Sequence, residues 1–359
     1  MKRTVLNKIH KSIGAKMVEF AGFEMPIMYQ GINYEHKKVR DSLGVFDVSH
    51  MGEFFVEGPN AINLLQKICS NDISIITPGK AQYNYLPNTS GGVIDDLILY
   101  QLEKLKFLLV VNASNIEKDW AWINLINKDY NAILSNVSDK YSLLAVQGPL
   151  AIQAMQALTD FDLESIPSYG QKLINFANID NVIVATTGYT GSGGIEIYIK
   201  NESVELLWHS ILKAGEPFGI APVGLAARDT LRLEMGYCLY GNELDENKSP
   251  IQAGLSWITK PTKKCVNSKW LQKEMNQKSS KRLIGFKLLE KGIPRKGYNI
   301  LDDVRIKIGK VSSGTHSPVL EIGIGLGFID VKQIKTNKII YIEIRGKNVK
   351  AEITSIPFV

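Results

Sequence analysis

The sequence lacks the features that mark several large classes of protein. Its three cysteines, Cys69, Cys238 and Cys265, are far apart and show no CxxC or Cys/His spacing. Neither a disulfide framework nor a metal site is therefore predicted, and a reducing, cytoplasmic setting is favoured. No apolar run reaches the length of a membrane span, and no apolar core follows the basic N-terminus, so neither a membrane segment nor a secretory signal is predicted.

The charge balance is only mildly basic. Lys and Arg number 42 against 36 Asp and Glu, which gives a net charge of +6 in 359 residues. The basic residues are spread along the chain, without an RNA-binding signature or a zinc finger. Nucleic acid is therefore not predicted as a partner. An anionic small molecule or an acidic protein is favoured, beside the simpler interpretation of a solvated basic surface.

The order of apolar patterns predicts an α+β protein and not a doubly wound sheet. Helical spacing occurs at 116–127, 203–215 and 222–236, the last with Pro222 at its start and Gly236 past its end. Strand patterns separated by Gly, Pro, Asn and Ser turns fill much of 52–114. Residues 260–281 are polar and predict a short helix plus linker.

The character of the chain changes at about Lys281. From there to the end, short alternating strands follow one another, with a hairpin predicted at RGKN, residues 345–348. We expect a separate all-β domain at 281–359, a barrel or roll. The run GIGLGF at Gly323 is interpreted as a strand in which glycine marks a bulge.

Two adjacent acids in GGVIDDLILY are the first candidates for chemistry. In a strand, Asp96 shares one face with Ile94, Ile98 and Tyr100, and Asp95 lies on the other face. A buried, unpaired carboxylate costs several kcal/mol, so it needs hydrogen bonds or a ligand. The alternative is that an Asp caps the exposed end of a Gly-Gly hairpin turn.

Arg228 is the second candidate. Arg232 has Asp229 three residues before it, but Arg228 has no acid at either helical neighbour spacing. Its planar fork suits a ligand carboxylate or a buried acid such as Glu196, and the sequence leaves both open. Cys238 has no base nearby in sequence, so a thiol nucleophile is not predicted.

Together these segments resemble the glycine cleavage T-protein family. The resemblance spans essentially the whole chain and rests on FDVSHMGEF, GGVIDDLILY, TGYTG with GIE, AARDTLRLE with LYGNELDE, and GLSWITK. It implies a three-domain cloverleaf around a central folate channel. Residues 1–275 would form two interwoven α+β domains with a strand-rich insert at about 52–135, and 281–359 a C-terminal barrel-like domain.

The resemblance also implies the reaction and its partners. An aminomethyltransferase of this family transfers carbon from the aminomethyl-lipoyl arm of H-protein to tetrahydrofolate. The products are 5,10-methylenetetrahydrofolate, ammonia and dihydrolipoyl H-protein, and no metal, flavin or nicotinamide takes part. By matching positions, Asp96 would be the essential acid. The folate-binding positions would be Met51, Tyr83, Tyr100, Asn112, Tyr189, Glu196, Arg228, Tyr237 and Trp257.

The sequence departs from the family pattern in two places. Ser192 and Gly193 replace the Glu-Asp that often follows GYTG, and the chain stops at Val359 where many members carry a tail. The alternative function is that of a folate-binding relative that assists iron–sulfur assembly or tRNA modification. Such relatives carry a KGCYxGQE-type segment, whereas this chain has GYCLYGNELDE.

Overall fold

The computed structural model describes residues 1–277, 279–336 and 338–359. They form two compact units: the first comprises 1–68, 72–84 and 97–228, and the second 69–71, 85–96 and 229–359. The helices are α1 Asn7–Ser12, α2 Ile32–Asp41, α3 Ala61–Ile68, α4 Ile116–Asn127, α5 Ala151–Met155, α6 Val204–Gly215, α7 Leu225–Glu234, α8 Ser268–Asn276 and α9 Val331–Thr336.

The strands run from β1 to β19 along the chain. They are β1 Lys16–Phe20, β2 Phe23–Met28, β3 Gly44–Asp47, β4 Gly52–Glu57, β5 Lys80–Pro87, β6 Val93–Glu103, β7 Lys106–Val111, β8 Ile133–Asn136, β9 Tyr141–Gln147, β10 Gln171–Phe176, β11 Ile179–Ala185, β12 Gly194–Lys200, β13 Ala221–Pro222, β14 Lys281–Leu288, β15 Asn299–Leu301, β16 Lys307–His316, β17 Gly323–Asp330, β18 Ile339–Ile344 and β19 Lys347–Thr354.

A mixed sheet forms the centre of the first unit. Its strand order is β10-β11-β12-β9-β3-β13, and β3 and β13 run parallel. Apolar side chains of this sheet, such as Phe176, form one buried core with residues of α5 and α6, including Trp208. This core fixes β12, the strand that carries Glu196.

A second sheet has the order β5-β6-β7-β4-β8, and its strands β5 and β6 carry residues of both units. Helix α4 packs closely on it, because a Cβ built on Gly52 would lie 2.6 Å from the Ile116 side chain. Register places Glu53, Val110 and Ile98 in one row across β4, β7 and β6. Cross-strand partners point to the same face, so these three side chains share a face of the sheet.

The second unit contains the predicted β domain as a closed barrel. Its strand order is β14-β17-β16-β15-β18-β19. The hairpin at RGKN is confirmed, because Arg345 and Gly346 both have positive φ, 51° and 78°, as a two-residue type I′ turn requires. The bulge expected at GIGLGF is wrong: the register shifts on β16, between Val311 and Ser313. Glycine in β17 instead makes room, since a Cβ on Gly325 would lie 2.4 Å from Phe286.

One helix boundary differs from its prediction. Helix α7 begins at Leu225, and Pro222 is not at its start. Pro222 lies in β13, beside Val45 of β3, and the Val223 N–H donates to the Val45 carbonyl. This parallel pairing keeps Pro222 and Val223 extended. Gly236 does follow the helix, in the left-handed conformation with φ of 71°.

The sequence also predicts a short helix within 260–281 and no membrane-spanning segment. Helix α8 supplies the short helix expected within 260–281, and residue 278 of that stretch lies outside the described residues. Among the residues that the structure describes, no helix is both long and apolar enough to cross a membrane.

Candidate active site

A carboxylate held by buried hydroxyl groups lies in the first unit. Glu196 of β12 is 7% exposed. Its Oε2 accepts hydrogen bonds from Thr187 Oγ1 at 2.5 Å and from the Tyr100 hydroxyl at 3.3 Å. The Tyr198 hydroxyl lies 2.9 Å from that of Tyr100 and extends the network. Within the described part of the chain, Oε1 of Glu196 makes no hydrogen bond, so it is available to a ligand that donates one.

Both tyrosines of this network keep their phenolic protons. Burial, followed by the negative field of Glu196, raises the pKa of Tyr100 well above its ordinary value. Burial, and then the fields of Tyr100 and Glu196, act in the same direction on the pKa of Tyr198. The hydroxyls therefore serve as donors around a fixed acceptor, and this holds Glu196 in one orientation.

Arg228 stands beside this carboxylate. Its guanidinium carbon lies 4.8 Å from the ring centre of Tyr189, a cation–π contact. Burial lowers the pKa of Arg228, while the field of Glu196 raises it, and an arginine remains charged in either case. Its Nη1 is buried and has no hydrogen-bond partner among the described residues. A buried cationic donor without a partner is costly, which favours a ligand acceptor at this point.

The TTGYTG turn places Thr187 and Tyr189. Gln147 Nε2 donates to the Thr187 carbonyl at 3.1 Å, and Thr190 Oγ1 donates to Gln147 Oε1 at 2.8 Å. A Cβ on Gly188 would lie 2.0 Å from Gln147 Oε1, so only glycine allows this close approach.

Ser192, one of the two departures from the family pattern, is part of a hydrogen-bond network in the first unit. Arg40 Nη1 donates to Ser192 Oγ at 2.7 Å and to the Thr190 carbonyl at 2.5 Å. Ser192 therefore engages Arg40 through a neutral acceptor, and this contact anchors the turn in this chain.

In the second unit, Asp95 and Asp96 of β6 follow a hairpin turn that Asn88 caps. Asn88 Oδ1 accepts from the backbone N–H groups of Ser90 at 2.9 Å and Gly92 at 2.8 Å. The alternative in which an Asp caps this turn is therefore not needed, because the Asn88 amide fills that role. Asp95 is fully buried, whereas Asp96 is half-buried on the opposite face of the strand.

A loop between α7 and residue 250 lies against the start of β6. The Val93 N–H donates to the Asp245 carbonyl at 2.9 Å, and Asn88 Nδ2 donates to the Glu246 carbonyl at 2.8 Å. The same loop carries Cys238. Burial chiefly, then the fields of Glu243 and Asp96, raise the pKa of the Cys238 thiol well above its ordinary value. A protonated thiol beside Asp96 agrees with the absence of a predicted cysteine nucleophile.

A buried ion pair fastens this loop. Arg232, 1% exposed, donates to Glu243 Oε2 at 3.2 Å and to Asp229 at 2.8 Å, so the predicted Asp229 pair is confirmed. Glu243 also accepts from Ser312 Oγ at 2.5 Å and from the Leu239 N–H at 3.0 Å. All its partners lie in the second unit, and they fix the segment that contains Cys238.

The other predicted residues are spread over both units. Met51 lines a cavity of about 110 Å³ in the first unit, together with polar side chains. Tyr83 of β5 and Asn112, which precedes the 3-10 turn Ala113–Asn115, are half-buried. In the second unit Tyr237 is 37% exposed and Trp257 is 60% exposed. The structure thus groups Tyr100, Tyr189, Glu196 and Arg228 in the first unit and places Asp96, Tyr237 and Trp257 in the second.

Sequence reasoning missed three polar residues beside this group. Tyr198 follows Glu196 by two positions on β12, so strand alternation alone would have placed both on one face. Thr187 gave no signal beyond its glycine-rich turn. Glu53 is fully buried, with both carboxyl oxygens unpartnered among the described residues, and its field reaches Tyr198.

The comparisons with known proteins cover the whole chain. The GCVT N-terminal domain model matches residues 6–263, and the glycine cleavage T-protein C-terminal barrel domain model matches residues 281–359. The chain belongs to the glycine cleavage T-protein family. An aminomethyltransferase of Flavobacterium psychrophilum is 52% identical over 358 residues, which is 100% of this chain and 99% of that protein. One of Bacteroides thetaiotaomicron is 50% identical over 360 residues, with the same coverage.

A solved T-protein has the same fold. The crystal structure of glycine cleavage system aminomethyltransferase T from Bartonella henselae superposes with a TM-score of 0.91 at 31% identity. The match covers 100% of this chain and 98% of that one. The predicted family, the α+β fold with its C-terminal barrel and the aminomethyltransferase function are thereby confirmed.

Proposed function

We propose that this T-protein family member transfers the carbon of an S-aminomethyl-lipoyl group on H-protein to tetrahydrofolate. The C–S and C–N bonds of the aminomethyl group break, and two C–N bonds form to N5 and N10 of the folate. Two folate N–H protons leave: one ends on the dihydrolipoyl sulfur and the other on the departing amino group, which leaves as ammonia. The carbon keeps its oxidation level, so the step needs no oxidant or reductant.

The observation that carries the folate assignment is the pairing of an unsatisfied donor with an unsatisfied acceptor. Among the described residues, Arg228 Nη1 has no hydrogen-bond partner, and the hydrogen bonds to the Glu196 carboxylate all go to Oε2. A pterin offers both ring N–H donors and a carbonyl acceptor, and the glutamyl tail adds carboxylates. The family's use of tetrahydrofolate agrees with this donor and acceptor set. Met51, Tyr83, Tyr100, Asn112, Tyr189, Tyr237 and Trp257 complete the proposed binding residues.

Asp96 is the proposed catalytic acid. It lies half-buried on β6, and the turn before this strand is capped by Asn88. A carboxylate in such surroundings can move a proton between folate nitrogen and leaving group, or stabilise the cationic carbon as it transfers. Both roles require an ionisable oxygen pair, which an amide does not provide.

The proposed donor follows from the glycine cleavage role of the related T-protein, in which the aminomethyl group is carried on the lipoyl arm of H-protein. The three buried cysteines form no disulfide among the described residues, which suits a reducing compartment, and we place the activity in the cytoplasm.

The test uses aminomethyl-loaded H-protein and tetrahydrofolate, with methylenetetrahydrofolate as the readout. Asp96→Asn should retain folate binding within about threefold while turnover falls by about a thousandfold or more, because one proton-transfer group contributes on the order of 10²–10⁴. Asp95→Asn is the matched control: a neighbouring carboxylate on the opposite face, expected to keep turnover within about tenfold once folding is verified.

Three results separate the parts of the proposal. Normal turnover by Asp96→Asn would remove the catalytic assignment. Unchanged folate affinity of Arg228→Ala in calorimetry would remove Arg228 from the folate site. Wild-type protein that binds folate but releases no methylenetetrahydrofolate would instead favour the non-catalytic folate-binding relative.

A further inference from the structure

One buried carboxylate outside the proposed site holds two distant backbone segments of the first unit. Glu35, in the first turn of α2, is fully buried. Its Oε1 accepts from three successive backbone N–H groups, those of Tyr29 at 2.7 Å, Gln30 at 2.9 Å and Gly31 at 3.0 Å. Three backbone N–H groups that converge on one carboxylate oxygen fix the position of that oxygen tightly.

The other oxygen reaches the start of α7. Glu35 Oε2 accepts from the Gly224 N–H at 2.8 Å, across 189 residues of sequence. The Gly224 carbonyl in turn accepts from the Arg228 N–H at 3.2 Å, in the first turn of the helix. A single carboxylate therefore connects the loop after β2 with the helical turn that carries Arg228.

The backbone at Gly224 packs so closely on that of Ile27 that no side chain would fit between them. A Cβ built on Gly224 would lie 2.3 Å from both the carbonyl carbon and the carbonyl oxygen of Ile27. The two backbones are thus packed directly on each other, and the Glu35 hydrogen bonds fix their register. A small displacement at Gly224 would be passed to the first turn of α7.

Arg228 depends on this backbone placement. Among the described residues, no hydrogen bond or ion pair holds its guanidinium, which is in contact with the ring face of Tyr189 at 4.8 Å. A ring face orients a cation less strictly than a bidentate acceptor does. The start of α7 therefore sets the backbone position from which the Arg228 side chain reaches the Tyr189 ring.

We propose that Glu35 is a positioning residue for Arg228, acting through Gly224 on the affinity for folate. The inference rests on the proposed folate role of Arg228. The role of Glu35 is positioning and not catalysis, because within the described part of the chain its four hydrogen-bond partners are backbone N–H groups.

The test is a double-mutant cycle on the full-length protein. Glu35→Gln replaces one acceptor oxygen with an NH₂ group that faces N–H donors, so the segments must separate. Tetrahydrofolate affinity should fall about tenfold by calorimetry, equivalent to about 1.4 kcal/mol. Turnover at saturating folate should stay within about threefold of the wild type, because Asp96 is unaffected. Glu35→Asp, which keeps the charge but is one methylene shorter, should show the same split and serves if Glu35→Gln does not fold.

Combining Glu35→Gln with Arg228→Ala shows whether Glu35 affects folate affinity through Arg228 or by a general loss of structure. The variant with both changes, Glu35→Gln and Arg228→Ala, should bind folate no more weakly than Arg228→Ala alone. Asp72→Asn is the control, because this carboxylate also accepts a backbone N–H, from Ser74 at 2.9 Å, but it caps the 3-10 turn Ile73–Ile75. Any change that it causes in folate affinity should add to the change caused by Arg228→Ala.

Two outcomes would overturn the inference. Additive losses from Glu35→Gln and Arg228→Ala would remove the positioning role and leave the folate role of Arg228 intact. Unchanged folate affinity of Arg228→Ala would overturn both the positioning role and the proposed folate contact.

Discussion

Glu53 should make the stability of the protein depend on pH in an unusual direction. Both of its oxygens are buried without a hydrogen-bond partner among the described residues, and burial raises its pKa well above the ordinary value. A carboxyl group whose folded pKa is raised contributes its full stability below the unfolded pKa. That contribution is lost as the pH rises toward the folded pKa.

The size of the effect follows from the one proton that Glu53 retains in the folded state. Between its unfolded and folded pKa values, the free energy of unfolding falls by about 1.4 kcal/mol for each pH unit. Glu53→Gln keeps the shape of the side chain and removes the titration. The variant should therefore be close to the wild type at about pH 5 and increasingly more stable above it.

Urea unfolding at a series of pH values, at constant ionic strength, measures this difference. Glu57→Gln is the control on the same strand: Glu57 is partly exposed, 3.3 Å from Lys106, and such a pair contributes at most about 1 kcal/mol. A stability difference between Glu53→Gln and the wild type that stays constant with pH would refute the reasoning. So would a variant less stable than the wild type at about pH 8.

Two further predictions concern buried contacts of the first unit. Burial acts to raise the pKa of Asp47, but the hydrogen bond from His10 at 2.8 Å and the charge of His10 lower it overall. Asp47→Asn should therefore lower the free energy of unfolding by about 3 kcal/mol above about pH 4. Thermal unfolding should show that this loss becomes smaller as the pH falls further, and a loss that does not change with pH would contradict the assignment. Gly188→Ala should lower the free energy of unfolding by about 1–3 kcal/mol and weaken folate binding, because its Cβ would overlap Gln147. Wild-type folate affinity of this variant in calorimetry would contradict the prediction.

Local patterns predicted those elements whose form depends on neighbouring residues. The helix at 116–127 was bounded correctly, because its apolar spacing is helical throughout. The hairpin at Arg345 and Gly346 followed from turn chemistry alone. Strand alternation also placed Asp95 and Asp96 on opposite faces, and their different burial agrees with this.

Elements decided by distant partners were not predictable in this way. The preference of proline for the first turn of a helix predicts Pro222 at a helix start, whereas the structure places it in a two-residue strand that forms by pairing with β3. The sequence could show that Arg228 lacks a local acid, but not that Tyr189 would lie under its guanidinium. Likewise the hydroxyl network around Glu196 joins strands β6 and β12, which no spacing rule connects.

The buried pair of Arg232 and Glu243 restricts how this protein can change over time. Each charge is almost inaccessible to water, so removing Arg232 leaves a buried Glu243 without its counter-charge, and removing Glu243 leaves a buried Arg232 paired only with the partly exposed Asp229. A substitution at either position alone is therefore expected to destabilise the fold, so the two residues should change together in evolution. Libraries that diversify the surrounding segment will retain more folded members if they leave both residues untouched.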